Sequence, residues 1–307
     1  MFEVINVAGS SQESIETLGT KPKFWFVEPN LGWCLCKIVR PNTGEDWSEV
    51  VSAGIASFMN LPHAEYHLAN YSGKRAVVSP TLVRETDTLL LGNELLVQID
   101  ESYNVGAARF RQTAHTVAFV FSAIELVNQL NLPMNWLAPE RVRTPAELFV
   151  GYLALDALIG NTDRHHENWG IIGSLEDGNV VLRLAPTFDH ASSLGCHELD
   201  AQKTRRLDSN DGNFTCAAFA SRARSGFFRN PTDSRPMGPV DAFTEAGTRH
   251  PEAARHWIEK INAITDTQMA ILLDEVPPDR LSPVSRQFAI ELMHSNRERI
   301  GAVGDML

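Results

Sequence analysis

One polar motif limits the folds open to this chain more than any other part of its sequence. Asp163 is followed five residues later by Asn168, and a second aspartate, Asp189, comes twenty-one residues after that. Between Asn168 and Asp189 lie two apolar runs separated by Glu-Asp-Gly at 176–178, a turn sequence that predicts a hairpin. In this motif the carboxylate of Asp163 comes first. The amide of Asn168 and the carboxylate of Asp189 then stand on either side of a short hairpin.

A protein-kinase-like fold uses this spacing to build a phosphoryl-transfer site. In such a site Asp163 would accept the proton of an acceptor hydroxyl or orient that hydroxyl. Asn168 and Asp189 would supply oxygen ligands to Mg²⁺, which is a hard cation. The alternative is that two solvated loop aspartates and a capping asparagine share this spacing by chance, and the residues upstream argue against it.

A lysine in a predicted buried strand is the first of those upstream residues. Lys37 lies in the middle of residues 33–40, which carry apolar side chains on both faces of the strand. A buried lysine needs a counter-charge, and Glu49, in the first turn of the next predicted helix, would pair with it and aim the ammonium at phosphates. The simpler alternative is a surface lysine and a glutamate placed for the helix dipole. Two further glutamates compete for the same role: Glu45 and Glu65.

The segment before the first predicted strand is rich in glycine and serine. Lys21 and Lys23 follow Gly19 and Thr20, and a flexible loop there would lay backbone N–H groups on phosphate. Neither G-x-x-x-x-G-K-[ST] nor G-x-G-x-x-G occurs in the sequence, so a disordered terminus is the alternative.

The order of predicted elements divides the chain into two parts. Residues 1–100 are predicted to form a β-rich N-lobe, and residues 101–307 a mainly helical C-lobe, which gives an α+β, bilobal fold. In the N-lobe, strands are expected over 23–28, 33–40, 63–69 and 74–83, with one helix capped by Ser48 and ending near Asn60. In the C-lobe, helices are expected over 105–131, 145–159, 253–264, 266–275 and 285–300, with 199–247 mostly irregular.

Composition and charge restrict the compartment and the partners. No run approaches eighteen apolar residues, and residues 1–16 lack the basic and apolar parts of a signal peptide, so no membrane contact and a cytoplasmic location are expected. The four cysteines have no zinc-site spacing and are expected to be reduced thiols. The net charge of −11 argues against direct nucleic-acid binding, because that affinity comes largely from phosphate neutralisation.

Two local clusters leave alternatives open. The basic cluster is either a solvated surface or a patch that meets phosphate or an acidic partner. Its members are Lys203, Arg205, Arg206, Arg222, Arg224 and Arg229. The histidine cluster would either bind a transition metal, which no H-E-x-x-H spacing supports, or use His165 to orient Asp163 or a loop carbonyl. Its members are His165, His166, His190 and His197.

The central motif resembles that of a known group of enzymes. GNTDRHHENWGI and LAPTFDHASSLG are similar to the catalytic core of HipA-like bacterial serine/threonine kinases, whose pattern is close to G-N-x-D-x-H-x-x-N, a hairpin, and L-x-P-x-[FY]-D. The matching residues are Asn161, Asp163, His165, Asn168, Pro186, Phe188 and Asp189. Residues 19–23, GTKPK, are similar to the G-x-Q-x-K phosphate loop of that family, with Lys21 in place of the glutamine.

This resemblance implies a two-lobed protein-kinase-like fold, ATP with Mg²⁺, and phosphorylation of a protein hydroxyl. It implies that Asp163 is the catalytic base and that Asn168 and Asp189 are the magnesium ligands. It also implies that Lys37 contacts phosphate, with Glu49 as its ion-pair partner.

The resemblance further implies partners and a means of control. Family members often act as toxins of toxin–antitoxin pairs, with small DNA-binding antitoxins as partners and aminoacyl-tRNA synthetases among their substrates. The chain begins almost at the phosphate loop, so it is similar to the short, HipT-like members that lack an extra N-terminal subdomain. Some members are silenced by autophosphorylation of a loop serine, and Glu16 stands at that position here. Nearby candidates for such modification are Ser10, Ser11, Ser14 and Thr17.

We therefore predict a cytoplasmic, ATP- and Mg²⁺-dependent serine/threonine kinase that acts on a protein, either an aminoacyl-tRNA synthetase or itself. ATP would lie between the lobes, and the segment 76–82, with Ser79 and Leu82, would be the hinge that contacts adenine. Two alternatives share the motif: a phosphotransferase for a small molecule or lipid, and a kinase-fold module that binds nucleotide without turnover. The completeness of the motif argues against the second.

Overall fold

In the computed structural model, which describes residues 1–9, 14–15, 22–106 and 111–307, the described N-terminal strands form one mixed sheet. Its strands are β1 (Val4–Val7), β2 (Ser14–Ile15), β3 (Lys23–Glu28), β4 (Gly32–Ile38), β5 (His67–Tyr71) and β6 (Lys74–Pro80). They lie in the order β1-β5-β6-β4-β3-β2, and every neighbouring pair is antiparallel except β1 with β5. The strands predicted over 23–28 and 33–40 are therefore present, with the second ending at Ile38.

Strand β4 lies inside this sheet, between β3 and β6. Cys34 and Cys36 are fully buried in a small apolar core on one face. Successive side chains of a strand point to opposite faces, so Lys37 emerges on the other face. There it stands opposite Lys23 of β3 and Val77 of β6. The alternation seen in the sequence thus places the predicted strand lysine in the middle of the sheet.

The helix α1 (Glu45–Phe58) begins earlier than predicted. Gly44 is its N-cap, and Ser48 is a buried residue inside the helix whose hydroxyl donates to the carbonyl of Ser193 at 2.9 Å. The predicted Ser48 cap is wrong because Glu45 and Asp46 already form the first turn, where acidic side chains favour the helix dipole. Glu49 consequently lies in the second turn.

A second sheet contains β7 (Thr88–Leu91), β8 (Gly170–Glu176) and β9 (Asn179–Leu184). The predicted hairpin is β8–β9, and Asp177 and Gly178 both adopt positive φ, as its two-residue turn requires. Strand β7 pairs with β8 so closely that a Cβ on Gly170 would lie 2.4 Å from the carbonyl oxygen of Leu90. Residues from both predicted lobes thus share this sheet, and the boundary between 1–100 and 101–307 stays a prediction.

Most of the remaining described chain is helical. The helices are α2 (Gly92–Ile99), α3 (Val117–Leu126), α4 (Pro145–Ile159), α5 (Asp200–Leu207), α6 (Cys216–Ser221), α7 (Pro239–Arg249), α8 (Pro251–Ala263), α9 (Asp266–Asp274) and α10 (Pro283–Gly304). The helix predicted over 105–131 is too long, because Thr116 caps α3 by accepting from the N–H of Phe119. The segment 199–247, predicted as mostly irregular, contains α5, α6 and most of α7. Helix α5 buries only Lys203, so it lacks the apolar stripe by which a helix is recognised.

Helix α4 runs through the core and delivers the central motif. Thr144 and Glu147 form a capping box at its start, and Gly160, with φ of 63°, ends it in the left-handed conformation. Nearly every residue between these ends is buried. The motif that follows therefore starts from a fixed point.

A buried ionic network fastens α1 to the C-terminal part of the chain. The carboxylate of Asp46 is fully buried and accepts from Arg75 Nε at 2.8 Å and from Arg280 Nη1 at 2.7 Å. Arg280 also donates to the carbonyl of Ala69 in β5 at 3.0 Å. The N–H of Phe2 donates to the carbonyl of Glu275 at 2.7 Å.

Among the described residues, none of the helices combines the length and apolarity needed to cross a lipid bilayer.

Candidate active site

The loop after α4 is held by hydrogen bonds among its own residues. Asn161 donates through Nδ2 to buried Asp156 at 2.8 Å, and its Oδ1 accepts from the N–H of Asp163 at 3.0 Å. The carbonyl of Asp163 accepts from Asn168 Nδ2 at 2.7 Å and from the N–H of His165 at 2.8 Å. Because Asn168 uses its NH₂ group inside the loop, its side-chain oxygen is left as the atom suited to a cation.

The second aspartate lies beside the strand lysine. Asp189 Oδ1 is 3.2 Å from Lys37 Nζ, and its N–H donates to the hydroxyl of Tyr66 at 2.9 Å. Asp189 adopts φ of 59°, a left-handed conformation that aspartate and asparagine tolerate better than most residues. Burial opposes the charge of Lys37, but the carboxylates of Asp189 and Glu49 outweigh burial and raise the pKa of Lys37 above its ordinary value. The structure thus brings Lys37 and Asp189 into one site.

Glu49 also belongs to this site. Its Oε1 accepts from the N–H of His190, the residue after Asp189, at 2.5 Å, and its charge adds to the attraction on Lys37. The two competing glutamates have other partners: Glu45 forms an ion pair with Arg40 at 2.8 Å, and Glu65 forms a hydrogen bond with His67 at 2.8 Å. This geometry favours Glu49 among the three, while its ion pair with Lys37 stays a prediction.

One buried arginine, which the sequence analysis missed, connects the two halves of the motif. The side chain of Arg164 is fully buried and forms a two-point ion pair with Asp156, at 2.7 and 2.8 Å. Its Nη1 donates to the carbonyls of Asn168 and Phe188, the second at 3.2 Å. Burial disfavours its charge, yet Asp156 more than compensates and raises the pKa of Arg164. The Arg164 guanidinium therefore holds the backbone at Asn168, one predicted metal ligand, and at Phe188, the residue before the other.

The histidines of the motif point toward different partners. His190 is buried beside the hydroxyl of Thr187 at 2.9 Å, and burial lowers the pKa of His190 well below its ordinary value. His165 Nε2 lies 3.7 Å from Asp163 Oδ1, while its Nδ1 accepts from the N–H of Glu167 at 3.2 Å. Within the described part of the chain, no group of three or more histidine, cysteine or acidic side chains is arranged to hold a metal ion. The transition-metal alternative thus finds no support there, and an orienting role for His165 stays a prediction.

The other predicted nucleotide contacts are only partly described. Gly19, Thr20 and Lys21 lie outside the described residues, as do Glu16 and three of the four candidate modification sites: Ser10, Ser11 and Thr17. The fourth, Ser14, is exposed in β2. Lys23 stands opposite Lys37, so both side chains lie on the same face of the sheet. Ser79 lies near the end of β6 opposite Leu35, and Leu82 packs against the main core.

Four residues that the sequence did not single out complete the site: Tyr66, Asp156, Arg164 and Thr187. One indirect signal for Arg164 is its place between Asp163 and His165 in the motif. Its partner Asp156 lies inside an otherwise apolar helix, which is also unusual for a charged residue.

Two buried histidines behind the loop make stability depend on pH. His166 Nδ1 lies 2.9 Å from the hydroxyl of Tyr103, and His115 Nδ1 donates to the carbonyl of Gly226 at 2.9 Å. Burial lowers the pKa of His166 to about 4 and that of His115 to about 3. The unfolded chain binds both protons near the ordinary pKa of about 6.5. The contribution of these two histidines to stability is therefore fully present above that pH. Below it, the free energy of unfolding should fall by about 1.4 kcal/mol per histidine for each pH unit, down to about pH 4.

Urea unfolding between about pH 7.5 and about pH 4.5 tests this expectation. The variant His166→Gln should show a shallower pH dependence than the parent chain. A slope that is the same in His166→Gln and in the parent would contradict the assignment.

The fold is similar to that of two solved proteins. It matches the Helicobacter pylori proinflammatory kinase CtkA with a TM-score of 0.72 and 19% sequence identity, covering 99% of this chain and 98% of that chain. It matches HipA of Shewanella oneidensis MR-1, solved with HipB and its operator DNA, with a TM-score of 0.55 and 12% identity, covering 97% of this chain and 68% of that one. No family model matches the sequence, and no curated protein matches it. At these identities the likeness concerns the fold, and it confirms the predicted bilobal, α+β, kinase-like architecture.

Proposed function

We propose that this chain is an ATP- and Mg²⁺-dependent phosphotransferase that phosphorylates a serine or threonine of a protein, in the manner of HipA-like kinases. The observation that carries the proposal is the 3.2 Å contact between Lys37 and Asp189. These residues lie 152 positions apart in the sequence and are the two that a phosphoryl-transfer site needs side by side. The kinase-like fold, which CtkA and HipA share, supports the same conclusion.

Each side chain of the site then has a role in positioning or charge neutralisation. Asp163 accepts the proton of the acceptor hydroxyl, or orients it, and His165 keeps Asp163 in place. Lys37, aided by Glu49 and neighboured by Lys23, holds the ATP phosphates.

Two residues fit a magnesium ion, the side-chain oxygen of Asn168 and the partly exposed carboxylate of Asp189. When bound there, Mg²⁺ would neutralise charge on the transferred phosphoryl group. Arg164 keeps both ligand residues in register from behind. Ser79 and Leu82 would contact adenine, and Gly19, Thr20 and Lys21 would cover the phosphates.

The partners follow from the resemblance and from one neighbour. The HipA structure contains HipB and operator DNA, so a small DNA-binding antitoxin is the partner we propose for this chain, with the chain as the toxin. The net charge of −11 argues that the chain itself does not bind nucleic acid. An aminoacyl-tRNA synthetase, or the chain itself, is the proposed substrate, and the cytoplasm the proposed location.

Transfer of label from ATP tests the proposed reaction. With γ-labelled ATP, Mg²⁺ and a cell lysate, we expect label in a protein band, its loss on addition of EDTA and its return with excess Mg²⁺. Asn168 is neutral and Asp189 is negative, so neither can neutralise phosphate charge without the metal. The control uses α-labelled ATP, which should leave that protein band unlabelled because the α-phosphate stays with the nucleotide.

Two results would support the alternatives instead. Label that appears only in a small-molecule or lipid fraction would identify a different acceptor class. Calorimetric binding of Mg·ATP with no ADP formed and no labelled product would identify a nucleotide-binding module without turnover.

A further inference from the structure

A cavity of about 460 Å³ opens beside the loop that carries Asp163. Thr162 and Ser192 line it, and the carbonyl of Ser192 accepts from the N–H and hydroxyl of Thr162 at 3.1 and 3.2 Å. The hydroxyl of Ser192 also lies 3.5 Å from Asp163 Oδ2. None of the described residues assigned to ATP lines this cavity. The cavity therefore lies next to Asp163 but apart from the nucleotide contacts, where an acceptor would approach.

The floor of the cavity is apolar. Phe219, Ala220 and Leu292 contribute to it, together with Gly160 and Gly195. Gly195 has φ of 66°, and a Cβ there would lie 2.6 Å from a ring atom of Phe288. The volume falls in the range of roughly 300–1,000 Å³ that is usual for ligand pockets. Such a floor suits an apolar side chain of the acceptor.

The rim of the cavity is basic. Arg206 lies on it but is paired with Glu198 at 2.8 Å. Arg222 and Arg224 donate to the carbonyls of Asn213 and Ala223, and neither forms an ion pair with a carboxylate in the described part of the chain. Two neighbouring arginines without acidic partners in the described structure are unusual on a protein whose net charge is −11. They form a local positive site that complements a carboxylate.

A buried hydroxyl also points to a ligand in this cavity. Ser193 lines the cavity and is 1% exposed, yet its Oγ has no hydrogen-bond partner among the described residues. A buried hydroxyl without a partner is unfavourable. Rotation of the Ser193 side chain toward the cavity would let a peptide N–H or carbonyl bound there satisfy this hydroxyl.

We infer that this cavity docks the acceptor segment of an acidic protein substrate. The acceptor serine or threonine lies at Asp163, an apolar neighbour fills the floor, and an aspartate or glutamate of the segment meets Arg222 and Arg224. The inference rests on the proposed kinase function and deepens it by giving the substrate segment a chemistry. The arginine rim also disfavours cationic small molecules as acceptors.

Direct binding of synthetic peptides tests this inference without ATP. The probes are three fluorescent peptides with one serine next to a leucine, which differ only in carrying glutamate, glutamine or lysine at the flanking positions. The glutamate peptide should bind most tightly, and added salt should weaken it. In Arg222→Gln/Arg224→Gln its dissociation constant should rise about five- to tenfold, while that of the glutamine peptide stays the same.

Two further variants separate docking from misfolding and from total charge. Arg235→Gln/Arg249→Gln removes the same charge from exposed positions outside the cavity and should leave all three peptides unaffected. Arg222→Glu/Arg224→Glu should bind the lysine peptide better than the glutamate peptide. Equal binding of the three peptides to the parent chain would overturn the inference, and so would complete displacement of the glutamate peptide by free glutamate.

Failure of the docking inference and failure of the kinase proposal give different results. Label transfer to peptides without any preference for charge would reject acidic docking and leave the kinase proposal standing. Charge-selective binding with no label transferred to any peptide or lysate protein would reject the kinase proposal and leave the docking surface standing.

Discussion

Replacing Asp189 with asparagine is expected to slow phosphate transfer from ATP by about 1,000-fold or more while leaving the fold intact. The change removes the negative charge that lies 3.2 Å from Lys37 Nζ and that we assign to Mg²⁺. It should not strain the backbone, because asparagine adopts the left-handed conformation of Asp189 as readily as aspartate does. Initial rates with γ-labelled ATP give the size of the loss, and circular dichroism reports the fold.

Two companion variants make the result specific. Asp163→Asn should lose transfer to a similar extent but keep Mg²⁺-dependent ATP binding, whereas Asp189→Asn should lose the Mg²⁺ dependence of binding. Asp177→Asn is the matched control, because Asp177 also has positive φ, at 49°, but lies in the hairpin turn. Wild-type transfer by Asp189→Asn would show that the metal site is assigned wrongly.

Replacing Arg164 with methionine is expected to lower the free energy of unfolding by about 3–5 kcal/mol and to abolish transfer. The loss of stability arises because Asp156 would remain buried without its two-point ion pair. The loss of transfer arises because the backbones at Asn168 and Phe188 would no longer share one donor. Urea unfolding measures the first effect and labelled ATP the second.

A double variant separates these two effects. Arg164→Met/Asp156→Asn removes the uncompensated charge but keeps an oxygen that can accept from Asn161, so much of the stability should return. Transfer should stay absent, because nothing replaces the link between the two loops. The control Arg141→Met breaks an exposed ion pair with Glu259 and should leave the unfolding midpoint unchanged. Recovery of transfer in the double variant would show that Arg164 acts only through Asp156.

The parts of the fold that local sequence determines were predictable. Helix α4 and the hairpin β8–β9 follow from apolar spacing and from the residues at their ends, which act over a few positions. The three motif residues were likewise visible, because their spacing reflects a short loop and a short hairpin. Lys37 was recognisable as a strand lysine because its neighbours alternate.

The parts that distant residues determine were not predictable from one sequence. The predicted start of α1 at Ser48 rests on serine being a good cap, whereas the observed first turn contains Asp46, whose ion-pair partners Arg75 and Arg280 are distant in the sequence. The helix predicted over 105–131 is too long because apolar residues continue the helical spacing into the flanking loops, where Ala114, Val127 and Leu130 pack partly buried against the core. The contacts of Arg164 depend on how two loops meet, and no spacing encodes that meeting.

The buried network around Asp46 has a consequence for the synthesis of the protein. Arg280, one of its two counter-ions, follows Asp46 by 234 residues. A ribosome that adds about 5–20 residues per second needs roughly 12–47 seconds to reach it. During that interval Asp46 can pair with Arg75 but not yet with Arg280. The ion pair between Asp46 and Arg280, which ties α1 to the segment before α10, therefore forms only after the 234 residues between them have been made.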